Sequence, residues 1–393
     1  MPAMTASAAE SKVQPPAVMA TPRSVDVEIT SRCNLRCRYC YYFGNAGVDY
    51  HDLPTEAWLR FFEECGEAGV MSLTIAGGEP FMRKDLRTLL DGVVRNRMRF
   101  SLLSNGGLIT DEIAAYVAAT GRCDSVQISI DGSRAEVHDS LRGLGSFDRA
   151  VAGLRTLQRR GVSVAVRVTI HRHNVDDLES TARFLLEDLG LSGFGTNSAS
   201  ALGSFNETLD DVALTTAQRE QAMATLLRLS ERYDGRISAN AGPLAEARHW
   251  QCMEEARVSG APAFSNGGRL TGCGCHANEL AVRADGAYTI CSLLSHEVLG
   301  YINRDRLVDV WRHSSGLNRM RSRHRIPLAR FSECAGCAYI PYCTGNCPAL
   351  AYPGTGSTER PSPDACLRRF LDDGGRIPSI APNSPGVTRR DLA

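Results

Sequence analysis

Short apolar runs alternate with amphipathic helical patterns between residue 24 and about residue 200, and this alternation constrains the fold more than any other feature of the chain. The apolar runs are mostly continuous or β-branched, which is typical of strands buried in a parallel sheet. The patterns predict strands at 24–30, 71–76, 99–104, 125–130, 162–170 and 193–197, and helices at 55–66, 84–95, 110–119, 146–160 and 175–189. Regular βα alternation gives a parallel sheet with right-handed crossovers. Six such units predict an α/β fold with a partial (β/α)6 parallel barrel, open on one side.

Changes in composition along the chain predict the domain boundaries. Residues 1–23 are rich in Ala, Ser, Thr and Pro and are expected to form a flexible tail before the barrel of residues 24–202. Residues 203–262 read as a helical linker. In residues 263–370, Gly, Cys and turn residues dominate, so this domain needs metal ions or clusters to hold its loops. Residues 371–393 are expected to form a C-terminal tail.

The overall charge and composition exclude several classes of protein. Lys plus Arg and Asp plus Glu number 44 each, so the chain has no general attraction for nucleic acid or acidic membranes. No run approaches the ~20 apolar residues of a membrane span, and the N-terminal residues lack the apolar stretch of a signal peptide. A cytoplasmic location is expected. In that reducing compartment the 14 cysteines favour metal binding over disulfides.

Three cysteines at fixed spacing, Cys33-x3-Cys37-x2-Cys40, directly follow the first predicted strand. In parallel α/β folds, ligands bind at the carboxyl ends of strands. A [4Fe–4S] cluster normally takes four thiolates, so three from one loop leave one iron free to hold a reactant. The alternative is a zinc site, which needs a fourth ligand close by. No further cysteine and no histidine lies within ten residues of this motif, so the spacing favours the cluster.

Further short motifs follow the next three predicted strands in order: Gly77-Gly78-Glu79-Pro80, then Ser104-Asn105-Gly106, then Ser129-Ile130-Asp131-Gly132. Each alone also fits an ordinary turn. Together with the cysteine motif, in this order, they resemble the radical S-adenosylmethionine (SAM) superfamily over about residues 24–200. The resemblance implies that a cluster on the three cysteines cleaves SAM to a 5′-deoxyadenosyl radical, which takes a hydrogen atom from the substrate.

The resemblance also implies which residues bind SAM. Gly77 and Gly78 let backbone carbonyls approach the methionine ammonium, Ser129 and Asp131 meet the ribose hydroxyls, and Tyr39 packs near the adenine. The full set is Tyr39, Gly77, Gly78, Glu79, Pro80, Ser104, Asn105, Ser129 and Asp131. Asn174, after the fifth strand, is a further candidate and equally a cap for the following helix. No motif assigns a catalytic acid or base.

A second group of cysteines has the pattern Cys334-x2-Cys337-x5-Cys343-x3-Cys347. With Cys275 and Cys291 upstream and Cys366 downstream, it resembles the SPASM domain, over about residues 270–370. The resemblance implies two auxiliary [4Fe–4S] clusters, the first on Cys275, Cys291 and Cys347 and the second on Cys334, Cys337, Cys343 and Cys366. Cys273 is the candidate fourth ligand of the first cluster. Its tight Cys-Gly-Cys spacing leaves open whether that cluster is closed or keeps an iron for substrate.

These features predict a radical SAM/SPASM peptide maturase. Its substrate is expected to be a ribosomally synthesised precursor peptide that gains a crosslink, thioether, epimerised centre or decarboxylated residue. The expected cofactors are three [4Fe–4S] clusters and SAM. A flavodoxin or ferredoxin would donate electrons, and a separate protein could recognise the leader. An anaerobic sulfatase-maturating, formylglycine-forming enzyme is one alternative, and a non-enzymatic zinc scaffold, with zinc sites in the second cysteine group, is another.

A basic run precedes Cys334: Arg319, Arg321, Arg323, Arg325 and Arg330. Such a run is usually a solvated face. The alternative interpretation is a docking surface for an acidic peptide segment.

Overall fold

The computed structural model describes residues 17–42, 51–261, 264, 266–271 and 273–379. Its framework is a ten-stranded sheet. The strands are β1 (Ser24–Thr30), β2 (Ser72–Gly77), β3 (Arg99–Ser104), β4 (Cys123–Ser129), β5 (Val164–Ile170), β6 (Phe194–Ser198), β7 (Ile237–Ala239), β8 (Glu279–Val282), β9 (Ala287–Thr289) and β10 (Val298–Tyr301). Strands β1 to β7 pair in sequence order and are parallel throughout, which is the predicted partial barrel.

The helices surround this sheet and cover the cysteine-rich region. They are α1 (Thr55–Glu67), α2 (Leu86–Arg95), α3 (Asp111–Ala119), α4 (Ala135–Arg142), α5 (Ser146–Arg159), α6 (Leu178–Arg183), α7 (Phe205–Val212), α8 (Thr216–Arg232), α9 (Pro243–Ser259), α10 (Cys275–Asn278), α11 (Leu307–His313), α12 (Ser315–Arg321), α13 (Pro348–Thr355) and α14 (Leu367–Asp372). None of the helices in the described ranges combines the length and the apolar character that crossing a bilayer requires.

Alternation along β1 explains how the barrel has an apolar outside and a polar inside. Val25, Val27 and Ile29 are fully buried in the apolar core against the helices. Because successive side chains of a strand point to opposite faces, Asp26 and Glu28 lie on the other face, toward the barrel lumen. The same strand therefore supplies both core packing and lumen chemistry.

The cysteine-rich region continues the barrel sheet. Strand β8 pairs in parallel with β1, with Ser24 opposite Glu279, and β9 and β10 follow as antiparallel strands. Leu280 and Val282 of β8 belong to the same apolar core as β1. The predicted boundary at residue 263 thus lies between segments that share one sheet.

Some elements differ from the predicted ones. Helix α4 and the short strand β7, which lies inside the predicted linker, were not predicted. The predicted helix at 175–189 is divided into a 3-10 turn at Val175–Asp177, the helix α6 and a π turn at Phe184–Asp188. Three or four residues of β structure carry too little periodicity to be recognised in a chain by themselves.

Both predicted tails are partly described. The N–H of Met19 donates to the Ala277 carbonyl at 2.9 Å, and the Trp311 indole donates to the Met19 carbonyl at 2.8 Å. Ile377 is buried in a second apolar cluster with Trp250. The described parts of both tails therefore contact the domain, while residues 1–16 and 380–393 lie outside the described residues.

Candidate active site

The loop after β1 holds three half-buried thiols. The Cys33 Sγ accepts a hydrogen bond from the Leu35 N–H at 3.4 Å, and the Cys40 N–H donates to the Cys37 carbonyl at 3.1 Å. Burial raises the pKa of Cys37 to about 11, and the neighbouring charges of Cys40 and Cys33 add to the rise. The three thiols thus share one small region at the carboxyl end of the barrel.

The two glycines after β2 explain how this loop is held. Gly77 has φ +126°, and a Cβ there would lie 2.3 Å from the Thr30 carbonyl oxygen. A Cβ on Gly78 would lie 2.2 Å from the carbonyl oxygen of Arg32. In this close approach the Gly78 N–H donates to Thr30 at 2.8 Å, and the Glu79 N–H donates to Arg32 at 2.8 Å. Only glycine permits the backbone of this motif to lie against the cysteine loop.

Glu79 joins the loops that follow β2 and β3. Its carboxylate is fully buried and accepts hydrogen bonds from the Ser104 hydroxyl at 2.9 Å and the Asn105 N–H at 2.8 Å. Burial raises its pKa to about 7. Pro80 begins the 3-10 turn after it. The Asn105 amide then reaches the Cys33 Sγ at 3.9 Å, so the predicted motifs are linked to the cysteine loop by hydrogen bonds.

Asp131 is the centre of a buried polar network. Its carboxylate accepts hydrogen bonds from Arg142 Nε at 2.5 Å, from the Thr169 N–H at 2.9 Å and from the Tyr39 hydroxyl. Burial alone would raise the pKa of Asp131, but the Arg142 guanidinium holds it at about 2. The Tyr39 ring stacks on His171 at 5.6 Å. Asp131 and Tyr39, which were both predicted to contact the nucleotide, therefore bind other protein groups in this structure.

Two other predicted residues lie beside this network. Ser129 is half-buried at the carboxyl end of β4, opposite Arg167 of β5. Asn174 is buried, and its amide donates to the carbonyls of Asp131 and Thr169 at 2.9 and 2.8 Å. The Asn174 side chain caps no helix and instead braces the turn after β4.

Two acidic side chains in the lumen were not singled out by the sequence. Glu28 is 1 % exposed, and both of its carboxylate oxygens lack a hydrogen-bond partner among the described residues. Burial raises the pKa of Glu28 to about 8, and burial followed by the charge of Glu279 raises the pKa of Asp26 to about 7. The signal was available, because acidic residues at alternate positions of an otherwise apolar strand mark its lumen face.

Four cysteines of the C-terminal region form one group. The Sγ atoms of Cys273 and Cys275 lie 2.8 Å apart. Hydrogen bonding with Cys273 and Cys291 raises the pKa of the Cys275 thiol. Burial raises the pKa of Cys347, and the charges of Cys273 and Cys291 add to the rise. The structure thus places Cys273 with the three cysteines predicted for the first auxiliary cluster.

The remaining four cysteines form a second group. Burial raises the pKa of Cys334 to about 12, and the charges of Cys343, Cys366 and Cys337 add to the rise. Burial also raises the pKa of Cys343 to about 11, with further contributions from Cys366 and Cys337. The predicted second set is therefore brought together across a sequence span that ends after α13.

The donor sets fit iron–sulfur clusters. All fourteen cysteines are described, and each is a free thiol. Among the described residues, no three His, Cys, Asp or Glu side chains converge in the way that one metal ion needs. A cubane cluster carries each thiolate on a separate iron, so its donors need not converge on a point. Thiols are the donors that such clusters take, and the groups described above supply three, four and four of them.

A cavity of about 430 Å³ opens at the carboxyl ends of the barrel strands. It is lined by Ile170 at the end of β5, by Ser198 at the end of β6 and by Arg172. Leu350 and Ala365, close in sequence to Cys347 and Cys366, line its other side. The cavity therefore joins the carboxyl ends of the barrel strands to the cysteine-rich region.

In the basic run before Cys334, the side chains of Arg321 and Arg323 turn toward the protein and not toward solvent. Arg321 lies 4.5 Å from the Trp311 ring and donates to the His276 carbonyl at 2.8 Å. Arg323 is fully buried. The interpretations of Arg323 as part of a solvated face or a docking surface were wrong, because burial of an arginine depends on distant segments. Arg321 is half-buried and held by its contacts with Trp311 and His276.

The barrel and the cysteine-rich region each match a known protein family. Residues 27–185 match the family model of the radical SAM superfamily, and residues 273–338 match that of SPASM, an iron–sulfur cluster-binding domain. The chain is 30% identical over 331 residues to the mycofactocin maturase MftC of Mycolicibacterium smegmatis, covering 83% of this chain and 78% of that protein. It is 26% identical over 337 residues to an AdoMet-dependent heme synthase of Methanosarcina barkeri, covering 85% and 93%.

A solved structure shares the fold. Streptococcus suis SuiB, bound to the precursor peptide SuiA, superposes with a TM-score of 0.66 at 17% identity, covering 89% of this chain and 77% of that chain. This similarity extends the sequence matches to the arrangement of barrel and cysteine-rich region.

Proposed function

This chain belongs to the radical SAM superfamily and carries a SPASM domain, and from this premise we propose that it modifies a ribosomally synthesised precursor peptide. The arrangement of thiols carries the proposal. Three lie on the loop after β1, and two groups of four lie in the cysteine-rich region. In one of these groups, three members lie on the segments that flank β8 and β9, and Cys347 lies directly before α13. MftC and SuiB, which have the same architecture, are a maturase and a protein bound to a precursor peptide.

We assign the cofactors by these groups. Cys33, Cys37 and Cys40 would hold a [4Fe–4S] cluster with one open iron, and the two groups of four would hold two auxiliary clusters. With SAM bound at the open iron, the first cluster supplies a 5′-deoxyadenosyl radical that abstracts hydrogen. The residues around it keep the loop in place. Gly77 and Gly78 do so by backbone contact.

The predicted nucleotide contacts divide into two kinds in this proposal. Ser129 and Asn105 are accessible enough to meet SAM directly. Glu79, Ser104, Pro80, Tyr39 and Asp131 are buried, and they would act by holding the loops on which SAM lies. Buried and fully hydrogen-bonded polar groups fix one arrangement of the backbone.

The peptide would enter by the cavity of about 430 Å³ and reach the lumen from there. Arg172 and Asp210 give its wall both signs of charge, so its lining suits a peptide backbone with mixed side chains. Glu28, with both oxygens unpartnered among the described residues, would accept a hydrogen bond from the bound peptide or donate one when protonated. A flavodoxin or ferredoxin would supply the electron, and a separate protein could present the leader.

Heme synthesis is the second candidate function. The heme synthase of Methanosarcina barkeri is matched over 93% of its length, at 26% identity. A formylglycine-forming sulfatase maturase remains a third, because it would also use the predicted cluster motifs. These candidates share the radical step and differ in the substrate.

The test begins with anaerobically reconstituted protein. About twelve irons and twelve sulfides are expected, four for each cubane, together with 5′-deoxyadenosine after SAM and dithionite are added. The protein is then coexpressed with a precursor peptide encoded nearby, and the peptide is analysed by mass spectrometry. A mass lowered by two hydrogen atoms supports a crosslink, and an unchanged mass with deuterium uptake supports epimerisation.

Three other results would contradict the proposal. Zinc in place of iron excludes radical chemistry. Formation of 5′-deoxyadenosine that responds to a porphyrin and leaves peptides unmodified indicates the second candidate. Conversion of a sulfatase-derived peptide to an aldehyde indicates the third.

A further inference from the structure

Arg323 is a buried cation that has no carboxylate partner in the part of the chain that the structure describes. The residue lies on the 3-10 turn after α12, and its side chain has no solvent exposure. Its Nη1 donates to the Thr271 carbonyl, and its Nη2 donates to the Arg360 carbonyl at 3.3 Å. Its Nε has no hydrogen-bond partner among the described residues. Two neutral carbonyls therefore take up only part of what this guanidinium can donate.

Arg323 is held beside the first C-terminal cysteine group, because the Thr271 carbonyl to which it donates belongs to the segment that leads into Cys273. Burial lowers the pKa of Arg323 to about 10, and the thiols of Cys347, Cys273 and Cys275 oppose that decrease. Glu359 acts in the same sense but is exposed.

Burying an isolated cation costs free energy, because the cation loses its hydration, and only an opposite charge close by offsets that cost. The cysteine group is the one candidate among these neighbours that could carry such a charge at depth.

We propose that Arg323 is the counter-charge of an iron–sulfur cluster held by Cys273, Cys275, Cys291 and Cys347, and that it raises the reduction potential of that cluster. The inference rests on the cluster assignment given under the proposed function. A cubane with four thiolates is anionic, and reduction adds one more negative charge. A fixed cation beside it stabilises the reduced state more than the oxidised state. Net charge and hydrogen bonding near the sulfurs are the means by which proteins set these potentials.

The experiment compares full-length, anaerobically reconstituted variants by potentiometric titration followed with electron paramagnetic resonance. The signal of this cluster is identified by its loss in Cys275→Ala. We expect Arg323→Gln to make reduction at least tenfold less favourable, a shift of about 59 mV to lower potential for a one-electron couple. Arg323→Lys keeps the charge and should stay close to the wild-type potential.

Arg319→Gln is the matched control from the same basic run. Arg319 pairs with Glu297 and its side chain is 41% exposed. Solvent screens such a charge, so the potential of the cluster should not change.

The possible results distinguish a wrong role for Arg323 from a wrong cluster assignment. An unchanged potential in Arg323→Gln, with full iron content, overturns the role of Arg323 and leaves the cluster assignment intact. Absence of the signal from the wild-type protein overturns the assignment itself. If Arg323→Gln loses the cluster, Arg323→Lys decides. Retention at the wild-type potential supports the counter-charge, whereas loss in both variants shows that the guanidinium serves only to join the Thr271 and Arg360 carbonyls.

Discussion

The Arg142 Nε lies 2.5 Å from the Asp131 Oδ2, and both side chains are buried. The family resemblance implied that Asp131 meets a ribose, whereas here its carboxylate binds Arg142, Tyr39 and the backbone of Thr169. Removal of one partner of a buried ion pair leaves the other charged and unpaired. The pair therefore fixes the strand end from which the nucleotide would be bound.

Asp131→Ala should lower the free energy of unfolding by about 3–5 kcal/mol, because Arg142 loses its buried partner. Denaturant titration of the full-length protein without SAM measures this. Asp124→Ala is the control, since Asp124 and Arg99 form a half-exposed pair, and it should cost about 1 kcal/mol or less. Wild-type stability combined with weaker SAM binding in Asp131→Ala would show that the residue serves the nucleotide and not the fold.

Gly78→Ala should remove the cluster of the β1 loop. The new Cβ would lie 2.2 Å from the Arg32 carbonyl oxygen, so the cysteine loop has to move. Iron analysis after reconstitution should show the loss of about four of roughly twelve irons, one cubane of three. Gly161→Ala is strained at φ +71°, but its Cβ meets no atom within 4 Å and no cysteine loop, so the variant should keep all of the iron. A full iron content in Gly78→Ala would show that the loop adapts.

Glu28→Gln should stabilise the protein increasingly as the pH rises. The pKa of Glu28 is raised from 4.5 to about 8, first by burial and then by Asp26, Asp285 and Cys291 against the opposing charge of Arg283. The folded protein thus holds this proton more tightly than the unfolded chain. Its stabilising contribution is complete below pH 4.5 and is lost as the pH rises through about 8.

Apparent unfolding midpoints of Glu28→Gln and wild type, measured anaerobically at several pH values, check this. The difference should widen between about pH 4.5 and about pH 8 and then level off, since one pKa unit corresponds to about 1.4 kcal/mol. Glu231→Gln, at an exposed glutamate, should give a constant difference. A constant difference for Glu28→Gln as well would mean that water reaches its carboxylate.

Cys273→Ala should open one auxiliary cluster. The Sγ atoms of Cys273 and Cys275 lie 2.8 Å apart, so Cys273 is close enough to this group to be its fourth member. If Cys273 is the fourth ligand, the variant keeps its iron but its spectrum changes when a small thiol is added, because an iron is then free.

Cys252→Ala is the control for that prediction, since Cys252 is exposed and belongs to neither cysteine group. Its spectrum should not respond to the thiol. A response already present in the wild-type protein would show that the cluster is naturally open.

The barrel could be predicted from the sequence because the patterns that define its strands are local. Strands β1 and β3 have the predicted bounds, since a short pattern of apolar residues between turns depends only on neighbouring residues. The spacing of Cys33, Cys37 and Cys40 similarly defines a donor set within one loop. The fold that the family resemblance implies is the fold of this part of the molecule.

Tertiary structure decided what lies next to what. Ser24 of β1 faces Glu279 of β8, Arg142 neutralises Asp131, and Arg323 donates to the Thr271 carbonyl upstream of β8. These pairings join segments that share no local pattern, and the burial that raises the pKa of Glu28 comes from several elements at once. Local periodicity reports only which face of an element is apolar. Which groups meet across the interior, and with what charge, depends on the packing of the whole chain.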